Sequence, residues 1–156
     1  MSETICVKIT RQEKYTFLVD FGEDIPRFLV ADEPPPLGDG AGPSPERLLA
    51  AAVANCLCGS LLFAFNKFKG DPGHMSARAI CETGRNESNR LRVTNIKVDI
   101  TLGAKAEELP HFDRALAQFE EFCTVSQSVR AGIPFAVSVR GPDGRVIKQP
   151  SAVVTN

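Results

Sequence analysis

The chain has 156 residues, which suits one domain with a hydrophobic core and is short for two. Charged residues make up 24% of the chain and hydrophobic residues 43%, as in an ordinary soluble globular protein. The formal net charge is −1. Because binding to nucleic acid favours a basic surface, this charge argues against a nucleic-acid partner. We expect a single soluble domain over residues 1–156.

Five cysteines are an odd number, and the first residues lack the basic and apolar pattern of a secretory signal. Thiols in a reducing compartment therefore fit the sequence better than a framework of structural disulfides. We expect the protein in the cytoplasm, where a disulfide is more often transient and catalytic than structural.

The first third of the chain alternates between apolar and polar residues with the period of a β-strand. This alternation covers residues 5–10 and 15–21, and a third short strand is predicted over 27–31. Polar turns between these segments predict an antiparallel meander. Residues 32–43, DEPPPLGDGAGP, exclude a helix or an inner strand. A flexible linker and a stiff, packed crossing loop are both compatible with that composition.

A long helix is predicted over residues 44–69. Ser44 is a capping residue, Pro45 suits the first helical position, and Glu46 suits the positive end of the helix dipole. Glycine and proline at residues 70–73 end the helix.

The middle of this helix carries no charge over residues 48–65, a length at which a membrane span begins to be feasible. Asn55 and Ser60 lie inside the stretch, and the amphipathic strands around it require a soluble core. Burial by protein is therefore favoured over lipid. One small domain can hardly surround a helix completely, so this burial predicts a second subunit. Gly59 predicts that another backbone passes close to the helix.

The second half of the chain combines strands with two shorter helices. Strands are predicted around residues 75–81 and 96–102, helices over 109–122 and 125–131, and a closing hairpin from 135 to 148. Because strands stand before and after the helices, the order predicts an α+β fold rather than a parallel doubly wound sheet. No glycine-rich phosphate loop or G-x-S-x-G elbow supports a nucleotide-binding or serine-hydrolase function.

The cysteines are the residues with the most chemical potential. Cys56 lies in the middle of the apolar helix, where it is either a packing residue or a reactive thiol. Cys58 lies about 200° further round the same helix, so the two do not share a face. Cys123 is predicted at the start of a short helix, a position at which thiols are often reactive, although a structural role is equally compatible. We expect Cys6 and Cys81 to be packing residues in strands.

No metal or other cofactor is expected. A Cys-x-Cys pair on one helix, as at Cys56 and Cys58, is poor geometry for zinc. His74 and His111 are distant in sequence from that pair and from each other.

Two segments are specific enough to indicate a family. Residues 44–56 read SPERLLAAAVANC, and residues 123–139 read CTVSQSVRAGIPFAVSV. They resemble the first-cysteine and second-cysteine segments of the OsmC/Ohr family of osmotically inducible and organic hydroperoxide resistance proteins. The order of predicted elements matches that family along nearly the whole chain. The proline-rich DEPPPLG stretch resembles the broad OsmC-like branch more than the Ohr or founding OsmC branches.

The resemblance implies an OsmC-like fold, with antiparallel sheets wrapped around a long central helix in an interwoven homodimer. Residues 123–149 then form the second-cysteine segment and the closing hairpin. It also implies that Cys56 attacks a hydroperoxide and becomes a sulfenic acid. Cys123 condenses with it to a disulfide, which an external dithiol reduces. No metal, flavin or haem is implied.

A glutamate and an arginine hold the reactive thiol ionised in this family. Glu46 matches the glutamate by motif, but ten residues, or roughly 15 Å of helix, separate it from Cys56. We therefore expect Glu46 to serve the Cys56 of the second subunit; the alternative is a simple helix-start residue. Arg11 and Arg27 are both candidates for the arginine.

The alternative function is a non-catalytic stress or ligand-binding protein with an apolar pocket at the dimer interface. A thiol-based sensor ranks last, because no DNA-binding motif accompanies the cysteines. The sequence leaves open the preferred peroxide, the reductant and the role of Cys58.

Overall fold

The computed structural model describes residues 4–22 and 28–150. The chain divides into two compact units, residues 1–49 and residues 50–156. In the described ranges the strands are β1 (Lys8–Arg11), β2 (Phe17–Asp20), β3 (Phe28–Ala31), β4 (Ser76–Arg85), β5 (Leu91–Thr101), β6 (Phe135–Arg140) and β7 (Val146–Lys148). The α-helices are α1 (Pro45–Lys67), α2 (Phe112–Gln118) and α3 (Thr124–Arg130), with 3₁₀ turns at Ala106–Glu108 and Phe119–Phe122. The prediction of an α+β fold is confirmed.

The first unit contains the predicted antiparallel meander, with the strand order β1-β2-β3. Val19, on the central strand, pairs with Ile9 on one side and Leu29 on the other. Strand β1 begins only at Lys8, later than the alternation predicts. Cys6 precedes the strand and is exposed, so the expectation that it packs in a strand is wrong.

The proline-rich segment is a packed loop organised by Asp32. The Asp32 carboxylate is buried and accepts backbone N–H groups from Glu33 at 2.9 Å, Asp39 at 3.1 Å and Ala41 at 3.0 Å. These bonds, led by the one from Ala41, hold the pKa of Asp32 below its ordinary value although burial opposes its ionisation. Of the two alternatives left by the composition, the structure contains the stiff loop.

Two glycines in this loop lie against backbone and side-chain oxygens. A Cβ at Gly38 would lie 2.3 Å from an oxygen of the Asp32 carboxylate, and one at Gly42 would lie 1.8 Å from the Val30 carbonyl oxygen. Both distances are far inside van der Waals contact, so any side chain there would displace the loop.

Helix α1 begins and ends within two residues of the predicted bounds, and it has two distinct faces. Its buried residues recur every three or four positions, as on one side of a helix: Ala50, Val53, Leu57, Ser60, Leu61, Ala64 and Phe65. The opposite side, here called the exposed face of α1, consists of Ala51, Ala52, Asn55, Gly59, Leu62 and Phe63. By length and composition the helix could cross a membrane, but the buried face packs it as a core helix.

The second unit holds a four-stranded sheet in the order β4-β5-β6-β7. The buried row on β5, formed by Ile96, Val98 and Ile100, lies beside a buried row on β6. This confirms the predicted alternation at residues 96–102. The β5–β6 pair is parallel, which departs from the expectation of purely antiparallel sheets. The reason is the long connection through α2 and α3, since a crossover of that length can return the chain to the same end of the sheet.

The helix predicted over residues 109–122 is shorter and is divided in the structure. Leu109 is extended, with φ −105° and ψ 114°, because the following Pro110 disfavours the helical conformation before it. His111 has a positive φ of 52°, so α2 begins only at Phe112. The last turn of the predicted helix is a 3₁₀ turn, and Phe122 at its end is 48% exposed rather than buried.

Candidate functional site

Cys56 lies on the border between the buried and exposed faces of α1. Counting 100° per residue, it falls between exposed Phe63 and buried Ser60 on the helix circumference. Its side chain is half-buried. The helix therefore presents the Cys56 thiol to a neighbouring element while leaving it within reach of solvent.

Cys123 is fully buried and caps the start of α3. Its backbone is extended, with φ −81° and ψ 98°, because the chain turns there from the 3₁₀ turn into the helix. The Cys123 sulfur accepts the backbone N–H of Ser126 at 3.4 Å, which is the bond that an N-cap residue makes. The Ser126 hydroxyl is itself buried and donates to the Cys123 carbonyl oxygen at 3.4 Å.

The structure brings the side chains of Cys56 and Cys123 beside each other, close enough for Cys56 to act on the ionisation of Cys123, although the two positions are 67 apart in sequence. Burial first, and then the neighbouring Cys56, raise the pKa of the Cys123 thiol, while hydrogen bonds from Ser126 act in the opposite direction. Cys123 is therefore held as a neutral thiol at neutral pH. A buried neutral thiol beside a more accessible thiol is an arrangement suited to two-cysteine redox chemistry.

An aromatic pair lies next to the two cysteines. Phe63, seven residues after Cys56 and on the same side of α1, meets Phe122, the residue before Cys123. Their ring centroids are 6.0 Å apart and the rings are inclined at 67°, an edge-to-face arrangement. Both rings are largely exposed. They form an apolar wall that the sequence did not indicate, because Phe122 fits the buried side of the predicted helix.

An ion-pair network fixes the segment that carries Cys123. The Glu120 carboxylate binds Arg130 at 2.7 Å and also binds Lys148. The Arg130 guanidinium lies 4.5 Å from the centroid of the Phe135 ring. The Glu120 side chain is mostly buried, so these charges are partly shielded from water. The network ties α3 to strands β6 and β7, and no pattern in the sequence pointed to it.

The remaining candidates lie apart from this pair. Glu46 is half-buried in the first turn of α1, and within the described ranges its carboxylate has no hydrogen bond or ion pair. The Arg11 side chain donates to the Lys14 carbonyl oxygen at 2.8 Å and so closes the β1–β2 turn. Arg27 lies outside the described residues. None of these observations tests the role expected of Glu46.

Cys58 lies on the other border of α1, away from Cys56, and burial raises the pKa of its thiol. Cys81 is half-buried on β4. In the part of the chain that the structure describes, no cluster of three or more His, Cys, Asp or Glu residues is placed to hold a metal ion.

Comparisons with known proteins identify the family and the fold. A family model described as OsmC-like protein matches residues 38–138. No curated protein matches the sequence. Among solved structures, an OsmC-like protein from Mycoplasma pneumoniae superposes with a TM-score of 0.74 at 11% identity, covering 90% of this chain and 99% of that one.

Two further solved structures carry names that refer to hydroperoxides. The organic hydroperoxide resistance protein OsmC from Legionella pneumophila has a TM-score of 0.67 at 20% identity, covering 88% of this chain and 97% of its own. The organic hydroperoxide resistance protein OhrB of Bacillus subtilis has a TM-score of 0.63 at 17% identity, covering 86% and 98%. At these identities the likeness shows a shared fold.

Proposed function

This chain belongs to the OsmC-like protein family, and we propose from that premise that it is a thiol-dependent peroxidase that reduces organic hydroperoxides. One observation carries the proposal: the side chains of Cys56 and Cys123 lie beside each other, with Cys123 buried and Cys56 partly accessible. The names of the hydroperoxide resistance proteins that share the fold agree with it.

The difference in exposure supports the two roles proposed for the cysteines. A hydroperoxide reaches the accessible Cys56, whose thiolate attacks the outer peroxide oxygen, so the O–O bond breaks and an alcohol leaves. Cys56 is then a sulfenic acid in contact with Cys123. The Cys123 sulfur attacks it, the S–O bond breaks, and a disulfide and water are formed. An external dithiol returns both cysteines to thiols, which fits a reducing, cytoplasmic location. No metal or organic cofactor takes part.

The apolar wall of Phe63 and Phe122 supports an organic rather than an inorganic peroxide. Both rings have exposed surface beside the thiol pair, and an alkyl group would bury part of that surface on binding. Hydrogen peroxide has no apolar part to bury there. We expect alkyl hydroperoxides to react faster than hydrogen peroxide for this reason.

The proposed active form is a homodimer joined along the exposed face of α1. This face is uncharged, and Leu62 and Phe63 leave apolar surface open on it. In the described chain no atom lies within 4 Å of a Cβ built at Gly59, so the close backbone predicted there would belong to a second copy. The interwoven arrangement of the sheets is part of the same proposal.

In such a dimer we propose that Glu46 serves the partner subunit's thiol, with Arg11 or Arg27 as the arginine that accompanies it. The test mixes an inactive Glu46→Gln chain with an inactive Cys56→Ser chain. If Glu46 acts across the interface, mixed dimers contain one complete site and regain activity. A mixture that stays inactive although heterodimers form would contradict this role.

The first experiment on the proposed function measures the intact mass after one equivalent of an alkyl hydroperoxide, followed by peptide mapping. The expected result is a loss of two hydrogens per chain, mapped to a disulfide between Cys56 and Cys123. In Cys123→Ser, Cys56 should instead gain the mass of one oxygen, because the sulfenic acid has no resolving thiol. Cys58→Ser is the matched control and should behave as the wild type. If Cys56 and Cys123 stay reduced in the wild type, the peroxidase proposal is wrong.

A non-catalytic ligand-binding protein is the second candidate, and the same exposed Phe63–Phe122 surface favours it. The two functions differ in turnover. Repeated consumption of hydroperoxide in the presence of a dithiol indicates the enzyme, whereas binding of an apolar ligand with no consumption beyond one equivalent indicates the binding protein.

A further inference from the structure

We propose that Ser126 is a positioning residue for the resolving step, acting through Cys123: its buried hydroxyl holds the Cys123 backbone so that the sulfur faces Cys56 when it attacks. This inference rests on the proposed peroxidase function and adds a residue to its second half. Neither the cysteine motif nor the expected glutamate and arginine accounts for Ser126.

Ser126 is a fully buried polar residue whose partners all belong to Cys123. Its backbone N–H donates to the Cys123 sulfur at 3.4 Å, and its hydroxyl donates to the Cys123 carbonyl oxygen at 3.4 Å. A buried hydroxyl costs free energy unless it is hydrogen-bonded, so this side chain is stable there only while it bonds to Cys123. The position is therefore tied to the cysteine rather than to general packing.

The chemistry of the resolving step needs support at this sulfur. Cys123 must lose its proton as it attacks the sulfenic acid on Cys56, because the thiolate is the nucleophile. The S–S bond forms, the S–O bond breaks, and the departing hydroxide takes up the proton as water, so no other reactant is required.

The surroundings of Cys123 otherwise oppose that ionisation. Burial and the neighbouring Cys56 raise the pKa of the Cys123 thiol, and the hydrogen bonds from Ser126 are the contributions that lower it. The hydroxyl also holds the backbone of Cys123, since it donates to the carbonyl oxygen of that residue. Without it, the sulfur would be harder to ionise and less firmly directed towards Cys56.

The test compares Ser126→Ala with Ser128→Ala under single-turnover conditions. Ser128 is the matched control, because it lies on the same helix and donates to a backbone carbonyl, that of Thr124, at 2.9 Å, but faces solvent. A sulfenic-acid trapping reagent and quenched mass spectrometry follow formation of the sulfenic acid on Cys56 and its decay to the disulfide. Ser126→Thr keeps a hydroxyl and serves as the conservative variant.

We expect Ser126→Ala to form the sulfenic acid at the wild-type rate and to resolve it roughly tenfold more slowly, as for loss of one hydrogen bond to a charged group. The pH dependence of resolution should move towards alkaline pH, and Ser126→Thr should recover most of the rate. An unchanged first step shows that the variant is folded.

Two results would overturn the inference: equal resolution rates in Ser126→Ala and Ser128→Ala, or a slower rate in Ser126→Ala with no change in pH dependence and no recovery in Ser126→Thr. The failure of the proposed function itself has a separate signature, which is the absence of any sulfenic acid on Cys56 in the wild-type protein.

Discussion

The two faces of helix α1 have similar composition but opposite surroundings. On one face, Val53, Leu57 and Leu61 have no exposed surface at all. On the other, Leu62 is 39% exposed and Phe63 is 58% exposed, and neither face carries a charge between residues 48 and 65. An apolar face that meets water in the single chain is the surface that the proposed homodimer would cover, whereas the buried face is already covered within the chain.

The two faces therefore have different roles in folding and in the proposed association. The buried face contributes to the folding of residues 50–156, and the exposed face contributes to association in the proposed homodimer. Cys56 lies on the border between them, next to Cys123 on the inner side and Phe63 on the outer side. The thiol pair thus lies where the core of one chain meets the proposed interface. Substitutions on the buried face and on the exposed face of α1 should therefore have different effects.

The largest effect is expected on the buried face. Leu57→Ala removes a fully buried side chain and should lower the free energy of unfolding by about 2–5 kcal/mol, independently of protein concentration. Leu62→Ala is the matched variant, since it makes the same change five residues later on the exposed face. Its effect should be smaller and should depend on concentration, because it acts through association. Urea denaturation at two protein concentrations measures both. Equal, concentration-independent losses would contradict the distinction between the faces.

A charge on the exposed face should disrupt the dimer while the chain remains folded. In Phe63→Asp, the carboxylate would have to be desolvated at the interface, so the dissociation constant should rise by at least about tenfold. Sedimentation velocity over a dilution series measures the shift, and circular dichroism checks the fold. Ser88→Asp, in the exposed turn between β4 and β5, adds the same charge elsewhere and should leave the dimer intact. A Phe63→Asp protein that associates like the wild type would show that the dimer forms elsewhere.

The smallest effect is expected in the pH dependence of the free energy of unfolding, through the buried Cys123 thiol. Burial, followed by the neighbouring Cys56, raises the pKa of the Cys123 thiol above its ordinary value of 9.0. The folded chain then binds that proton more tightly than the unfolded chain, so this contribution to stability is present below pH 9 and decreases as the pH rises through the folded-state pKa. Urea denaturation of the reduced protein between about pH 8 and 10 measures the trend. Cys123→Ser should lose less stability over the same range, and parallel curves would contradict the buried-thiol contact.

The elements with strong local signals were predictable from the sequence. The cap at Ser44 and Pro45 and the apolar run after it predicted α1, because both signals depend only on neighbouring residues. The alternation at residues 96–102 predicted β5 for the same reason. The helix predicted over residues 109–122 was too long. The prediction followed the spacing of the apolar residues and ignored Pro110, which disfavours the helical conformation at Leu109.

The cysteine pair of the candidate site could be proposed from the sequence, but its contact could not. The family motif singled out Cys56 and Cys123, and the expected helix start at Cys123 matches its N-cap position in the structure. Their contact depends on how α1 packs against the segment before α3, and the 66 residues between the two cysteines carry no local signal for that packing. Ser126 appeared in the sequence only as a small polar residue near Cys123. Its significance depends on complete burial, which only the fold determines.

The loop that Asp32 organises has a consequence for how this sequence can diverge. One carboxylate holds three backbone N–H groups, while Gly38 and Gly42 occupy positions where a side chain would collide with the loop itself. The three prolines at residues 34–36, which make the segment conspicuous, are exposed. Among descendants of this chain, therefore, we expect the aspartate and the two glycines to be retained, because the loop is built on them.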